Sequence, residues 1–419
     1  MSDQQRTDSL ACYGNVFVHS PNIDRLASEG VRFLDGFSPY PLCTPARAAL
    51  WTGTYPHLHG IMDCVYGIAD AFESSPVPTT VFDRLSKAGY LVGYFGKWHL
   101  GERRPASMDH WDATDSAEGH WVTGRDYIPE AQTRRMNEFL QRLRGEKRPF
   151  FLVQSYRPPH EPYTAPERDM CLYRGKGIFR PGYYASVTAL DRCVGDILKT
   201  LEQIGARGNT LVIYTSDHGE SMGRRGLWGK FTLYEESAAV PLILAGPDVP
   251  VGQSTSDPVT LVDCHPTILE AVGVEAESGD ADLPGRSLWS IAGGEPLGRA
   301  AFSEYHAVGT TCGSFMIRHG SHKYIHYVGE EPQLFDLAAD PFETIDLAHD
   351  PNSVGIRERM EALLAEILDP DEVDARAKAD QAALVSSHGG REAVLARGTF
   401  VNSPVPGEEP RFESGDGHQ

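Results

Sequence analysis

Cys43 opens the run Cys43-Thr44-Pro45-Ala46-Arg47-Ala48-Ala49-Leu50, a thiol just ahead of a proline and a stretch of helix formers. Proline is favoured in the first turn of a helix, so the spacing predicts a helix with Cys43 at or just before its N-terminus. Orphan N–H groups and the positive end of the helix dipole meet there, which favours a thiolate or a bound anion. Two further pairs can do chemistry. Lys97 and His99 follow the apolar run at 90–96, and on an extended segment side chains at i and i+2 point the same way. Asp217 and His218 follow the apolar run at 210–216, and a carboxylate and an imidazole at the tip of a buried strand need a partner such as a metal ion. His160 stands between Pro158-Pro159 and Pro162 in an extended, proline-held turn.

The elements that must deliver these groups are legible on either side. A helix at 81–88 introduced by Thr79 and Thr80 leads through Gly89 into the strand at 90–96, an α–β alternation that suggests βαβ connectivity. A helix at about 130–143 precedes a strand at 149–156. Val187, Leu190, Val194, Ile197, Leu198 and Leu201 form the stripe of a long helix over 186–204 that Gly205 ends. Strands at 210–216 and 240–245 follow. Catalytic groups in open α/β sheets collect at the carboxyl ends of strands, where Lys97 and Asp217 fall. Residues 105–126, with His110, Trp111, His120 and Trp121, lack periodicity and read as a long loop over the site. Farther on, residues 302–337 alternate as short antiparallel strands, with one covering helix at about 354–368. The expected division is an α/β domain over 1–298, a small α+β unit over 299–385, and an irregular tail over 386–419 that wraps a partner subunit in a homo-oligomer.

Composition limits the function classes. Of 419 residues, 41% are hydrophobic and 23% charged, as in a globular protein, and no apolar run approaches a membrane span. No basic-then-apolar leader follows Met1, so the expected location is cytoplasmic. Thirty-eight Lys and Arg against 58 Asp and Glu give a formal charge of −20, which opposes a nucleic-acid partner and requires any anion site to be locally positive. Seven scattered cysteines without a Cys-x-x-Cys pair argue against a zinc knuckle and a disulfide framework.

The ordered segments around Cys43, Gly96-Lys97-Trp98-His99-Leu100-Gly101, His160-Glu161-Pro162-Tyr163 and Ser216-Asp217-His218-Gly219-Glu220 resemble the signatures of the type I sulfatase family. These are formylglycine-dependent enzymes of the alkaline phosphatase superfamily, with a related phosphonate monoester hydrolase branch. Asp3 and Gln4 match the family's first metal-binding pair, although the apolar strand that precedes that pair in the family has no counterpart here. The resemblance implies an alkaline-phosphatase-like fold: a large mixed β-sheet between helices plus a small C-terminal antiparallel sheet.

It also implies that Cys43 is oxidised by a formylglycine-generating maturation enzyme to Cα-formylglycine, whose hydrate attacks the sulfur of a small sulfate ester. Asp3, Gln4, Asp217, His218 and modified Cys43 would hold one divalent cation, Ca2+ ahead of Mn2+ or Mg2+. Arg47 and Lys97 would stabilise the attacking oxygen, and Lys230 would pair with sulfate oxygens. His160, with Lys230, would protonate the leaving alcohol, and His99 would take the proton that releases sulfate. Lys230 is carried over alone, because Gly223-Arg224-Arg225-Gly226 places an arginine where the family commonly has a histidine. The expected reaction is therefore hydrolysis of a sulfate monoester. The alternatives are phosphonate monoester or phosphodiester hydrolysis on the same scaffold, or a truncated, catalytically silent anion-binding protein. Tyr305, His306, Trp111 and Trp121 are candidates for an aromatic pocket around a small alcohol or a quaternary ammonium such as choline.

Overall fold

The computed structural model describes residues 1–64, 79–101, 104–114, 120–121, 126–293, 298–400 and 412–413. Parts of the 105–126 segment, Gly294 and most of the tail beyond 400 lie outside the described residues. Strand Leu91–Lys97 runs between His110–Thr114 and Phe150–Ser155, and all three are parallel. A second sheet orders Val212–Thr215, Leu242–Ala245, Val31–Phe33 and Gln253–Thr255, antiparallel at the first two junctions and parallel at the third. The start of the chain lies between the two sheets, where Ser2 bridges Ser216 and Asp3 bridges Pro159, both in parallel sense.

Alternation along Leu91–Lys97 explains why helices cover both faces. Val92 and Tyr94 pack with Leu50, Trp51, Phe82 and Ile268, from helices Cys43–Thr52, Val81–Lys87 and Cys264–Ala271. Phe95 points the other way, onto Met136, Leu140 and Leu201 of helices Ile128–Arg142 and Pro181–Gln203. A strand buried on both faces reads as a continuous apolar run, which is what residues 91–96 show. The helix Val81–Lys87 starts in a reciprocal capping box between Thr80 and Asp83. Gly96 has φ 89°, and a side chain there would collide with the Ser155 carbonyl oxygen. The turn that presents Lys97 therefore depends on a glycine.

The C-terminal unit is an antiparallel meander of Ala301–Tyr305, Ser314–His319, His322–Tyr327 and Gln333–Asp336. Helix Val354–Ile367 seats Met360 and Leu364 in its core.

Three expectations are corrected. The segment 105–126 is not all loop: His110–Thr114 is an edge strand, half-buried throughout and so without an alternating signal. Trp111 packs on Tyr94 and Trp98, at 5.8 and 5.1 Å between ring centroids, which removes it from any substrate pocket. The end of the chain is not uniformly irregular, and more than one helix follows the meander. Helix Pro370–Ser387 crosses the expected boundary at 385, and Gly390–Ala396 follows it. Helix Pro370–Ser387 buries only Val373, Asp374 and Ala377, so it lacks an apolar stripe. Its start signal was nevertheless present, because the Asp369 carboxylate accepts from the Asp371 and Glu372 amides with Pro370 in the first turn.

Candidate active site

The carboxyl ends of three parallel elements and one helix N-terminus converge. Leu91–Lys97 delivers Lys97, Val212–Thr215 runs into Asp217 and His218, and Met1–Ser2 leads to Asp3, all facing Cys43 at the start of the fully buried helix Cys43–Thr52. Asp3, Cys43, Asp217 and His218 are buried and offer four ligand atoms that all lie within 4.8 Å of one another.

The electrostatics of the cluster follow from its partners. Arg47, fully buried, spreads one guanidinium over four acceptors: Asp217 Oδ2 at 2.9 Å, Asp3 Oδ2 at 3.2 Å, the Lys97 carbonyl at 2.9 Å and Ser155 Oγ at 2.8 Å. Lys97 Nζ donates to Asp3 Oδ2 and lies 3.6 Å from Cys43 Sγ. Burial and neighbouring Cys43 push the Asp3 carboxyl up, but the Lys97, His160 and Arg47 charges outweigh them and hold it below the usual carboxylate range. For Asp217, burial and the Asp3 charge win and its carboxyl is raised. His218 places Nδ1 2.9 Å from the Gly219 carbonyl, so Nδ1–H donates there and Nε2 faces Cys43 Sγ at 3.1 Å; burial opposes its charge, but the Asp217 and Cys43 charges outweigh it and raise the imidazole above its usual range.

Cys43 itself is held well below the usual thiol range. A hydrogen bond with Cys64 is the largest cause; burial opposes it, and the Lys230, Lys97 and His218 charges reinforce it. His99 is hydrogen-bonded to Cys43, and burial followed by the Lys97 charge pushes it down to about 4. It is therefore a neutral base at neutral pH. Lys97 and His99 reach Cys43 together, but not from a continuous extended segment, since His99 has φ 59°.

On the other side Lys230 Nζ donates to His160 Nε2 at 3.0 Å and to Gln4 Oε1 at 2.7 Å. Burial and then Lys230 hold His160 well below the usual imidazole range. Gln4 sits beside the metal-type cluster through its backbone, donating to Asp217 Oδ1 at 3.1 Å, while its side-chain NH2 donates to Glu220 and to Glu161 Oε2. Its amide oxygen keeps a second lone pair beyond the one used by Lys230.

Several groups at this site escaped the sequence reading. Glu220, buried, fixes the loop by accepting from the Met222 and Gly229 amides at 2.9 and 2.7 Å, and with Glu161 it orients Gln4. Both lie next to residues already singled out, which was the available signal. Cys64 and Ser155 had none, because only the tertiary fold brings them to Cys43 and Arg47. Arg225, at the position where the family commonly has histidine, turns away to Glu236 at 2.8 Å and lies over the Tyr234 ring at 4.1 Å. Tyr305 is buried with its hydroxyl donating to the Val308 carbonyl, and His306 packs on Phe315 beside Glu304. Trp121 is exposed and packs on Tyr127. Among the described residues no ring contact joins Trp111 or Trp121 to Tyr305 or His306.

Residues 1–274 match the family described as Sulfatase, and residues 223–369 match N-sulphoglucosamine sulphohydrolase, C-terminal. The chain belongs to the sulfatase family. Membership makes it an enzyme of the sulfuric ester hydrolase class. It is 28% identical over 410 residues to the choline-sulfatase of Rhizobium meliloti (strain 1021), covering 80% of this chain and 78% of that protein. A structure solved with its substrate D-glucosamine-2-N,6-O-disulfate superposes with a TM-score of 0.78 at 24% identity, over 89% of this chain and 98% of the other. The phosphonate monoester hydrolase of Agrobacterium radiobacter gives a TM-score of 0.71 at 24% identity, over 88% of this chain and 95% of the other. Both superpositions establish the alkaline-phosphatase-like fold.

Proposed function

We propose that this sulfatase hydrolyses a small sulfate monoester, using formylglycine formed from Cys43 and one divalent cation held by Asp3, Asp217, His218 and residue 43, with Gln4 beside them. The observation that carries this reading is the enclosed four-donor cluster with residue 43 as one of its members. The donors suit a cation: the carboxylates of Asp3 and Asp217 and the sulfur of Cys43 converge on one buried point, and His218, with Nδ1 tied to the Gly219 carbonyl, turns Nε2 toward it. Oxygen-rich ligation favours Ca2+, and the imidazole admits Mn2+ or Mg2+. When bound, the cation supplies Lewis-acid polarisation of the sulfate and of the oxygen on residue 43.

The chain's own groups have separable tasks in this proposal. Sγ of Cys43 stands where the formylglycine oxygens would be, so Lys97 and His99 lie within reach of them. Lys97 neutralises the attacking oxygen, and neutral His99 takes up a proton from residue 43 when sulfate departs. His160 Nε2 is already an acceptor from Lys230, so the proton for the leaving alcohol comes from Lys230 Nζ, directly or relayed through His160. Arg47 is engaged with both carboxylates and serves to hold them in place.

The test begins with protein made alongside a formylglycine-generating enzyme. The Cys43 peptide should lose the mass that converting CH2SH to CHO requires, and the protein should carry about one divalent cation by elemental analysis. Rates on matched aryl sulfate and phenylphosphonate esters then decide between sulfate and phosphoryl chemistry. A wholly unmodified Cys43, or a phosphonate preference, overturns the sulfate reading. The proposed location is cytoplasmic, in keeping with seven unbridged cysteines, and cell fractionation checks it.

A further inference from the structure

Two exposed aromatic side chains and one cation gather beside the active site. Phe179 is 59% exposed and Trp228 48% exposed, and their ring centroids lie 6.0 Å apart. The Arg180 guanidinium reaches over both, with Cζ 5.6 Å from the Phe179 ring centre and 4.6 Å from that of Trp228. Among the described residues Arg180 has no side-chain hydrogen bond or ion pair, although acidic residues outnumber basic ones by 58 to 38. Its backbone is strained as well. Arg180 has φ 51° and ψ 58°, a left-handed conformation uncommon for a residue with a long side chain and disfavoured again before Pro181. Such strain persists only where the surroundings hold it, and it concentrates at ligand sites.

The cluster borders the side of the site where the alcohol would leave. Trp228 is two residues ahead of Lys230, a span of at most about 7 Å, and the Gly229 amide between them donates to Glu220 Oε1 at 2.7 Å. Arg180 is tied to the same place from the opposite direction. A Cβ on Gly182 would fall on the Tyr163 carbonyl oxygen, so the segment after Arg180 lies hard against Tyr163. The Tyr163 ring packs on Tyr183 at 5.5 Å, and the Tyr183 hydroxyl donates to the Gln4 carbonyl at 3.0 Å. Burial raises the Tyr163 hydroxyl, the Glu220 and Glu161 charges add to that, and the Arg180 charge opposes them. Arg180 therefore acts on the same hydroxyl as the two carboxylates that orient Gln4.

We propose that Phe179, Arg180 and Trp228 form an outer subsite for the alcohol half of the ester, selecting a ring-bearing alcohol that carries a second oxyanion such as a carboxylate. This rests on the sulfate-ester reading above. The aromatic faces cover the apolar face of the ring, and the guanidinium fork donates to the oxyanion. Arginine stacked on an aromatic ring keeps its in-plane N–H donors free, so the two contacts are compatible. A quaternary ammonium is disfavoured, because the aromatic faces already carry a cation. The subsite is open to solvent, so salt screens its preference.

Phenyl sulfates with a para carboxymethyl, carbamoylmethyl or trimethylammoniomethyl group test this. The methylene separates each group from the phenol oxygen, so the esters differ mainly in charge. In formylglycine-bearing protein, kcat/KM on the carboxylate should exceed that on the amide about tenfold, with the ammonium ester slowest. Arg180→Met should bring the carboxylate-to-amide ratio to about one, and Arg180→Lys should keep part of it. Salt at about 1 M should lower the wild-type ratio. The proposal is overturned if the wild-type protein does not favour the carboxylate, or if Arg180→Met preserves the ratio. If none of the three esters is hydrolysed, the sulfate-ester reading fails and calorimetric titration with para-hydroxyphenylacetate decides the subsite. Wild-type binding that Arg180→Met weakens about tenfold supports it, and equal or absent binding overturns it. A dimer seen by sedimentation that Phe179→Ala dissolves also overturns it, because the aromatic pair then belongs to a contact with a second copy.

Discussion

Arg47→Met removes the charge that faces Asp3 and Asp217 while keeping an unbranched stem in the helix. Four acceptors each lose a donor, although Asp3 keeps Lys97, and all lie in a region with no access to water, since Arg47, Asp3 and Asp217 are fully buried. Breaking a buried ion pair from one side costs about 3–5 kcal/mol, chiefly because the remaining charge is left uncompensated. The cavity contribution is small because methionine fills most of the stem volume. Urea unfolding of chelated wild-type and variant proteins, compared at a common m value, should show a loss in that range. A cycle with Asp217→Asn should recover about 1–3 kcal/mol as coupling. Adding back the divalent cation should narrow the gap, since the cation neutralises the same carboxylates. A loss below about 1 kcal/mol in the chelated proteins, or additive single changes, would refute the view that Arg47 holds the two carboxylates by charge.

Chelation alone should destabilise the wild-type protein by about 2.7 kcal/mol relative to a cation level one hundred times its Kd, and calorimetry with and without EDTA checks this. Lys97→Ala should lower kcat about 10²–10³-fold on an aryl sulfate, with a smaller change in KM, if its ammonium acts on developing charge at residue 43. Gly96→Ala forces a side chain against the Ser155 carbonyl at a positive φ, and should cost about 2 kcal/mol or more by denaturant titration. The buried His59 imidazole is pushed down to about 3, mainly by burial, from an ordinary value of 6.5. Its folded pKa lies below its unfolded one, so its stabilising contribution is complete above about pH 6.5 and lost as pH falls toward 3. His59→Asn should flatten that part of the stability profile, and an unchanged slope would show that other groups control it.

The amino-acid sequence by itself determined the local pieces of this protein. Pro45 and the following alanines set Cys43 at a helix start, apolar runs at 90–96 and 210–216 fixed strands, and the short distances from those runs to Lys97 and Asp217 put charged groups at strand ends. Such features arise from neighbours in the chain, through backbone propensity and burial, so spacing reveals them. The Pro370–Ser387 helix was harder because it buries one short patch and depends on its Asp369 cap. The edge strand His110–Thr114 was hidden because it lies half-buried and carries no period.

What only the tertiary structure decided is how the separate charges are balanced. Asp3 and Arg47 are 44 residues apart, Cys43 and His218 are 175 apart, and Gln4 and Lys230 are 226 apart. No periodicity connects them. The low thiol range of Cys43, the neutral state of His99 and the Lys230–His160 proton bridge follow from burial and from charges brought within a few ångströms. Both depend on where distant strands end, and the chain must close its sheets before either exists.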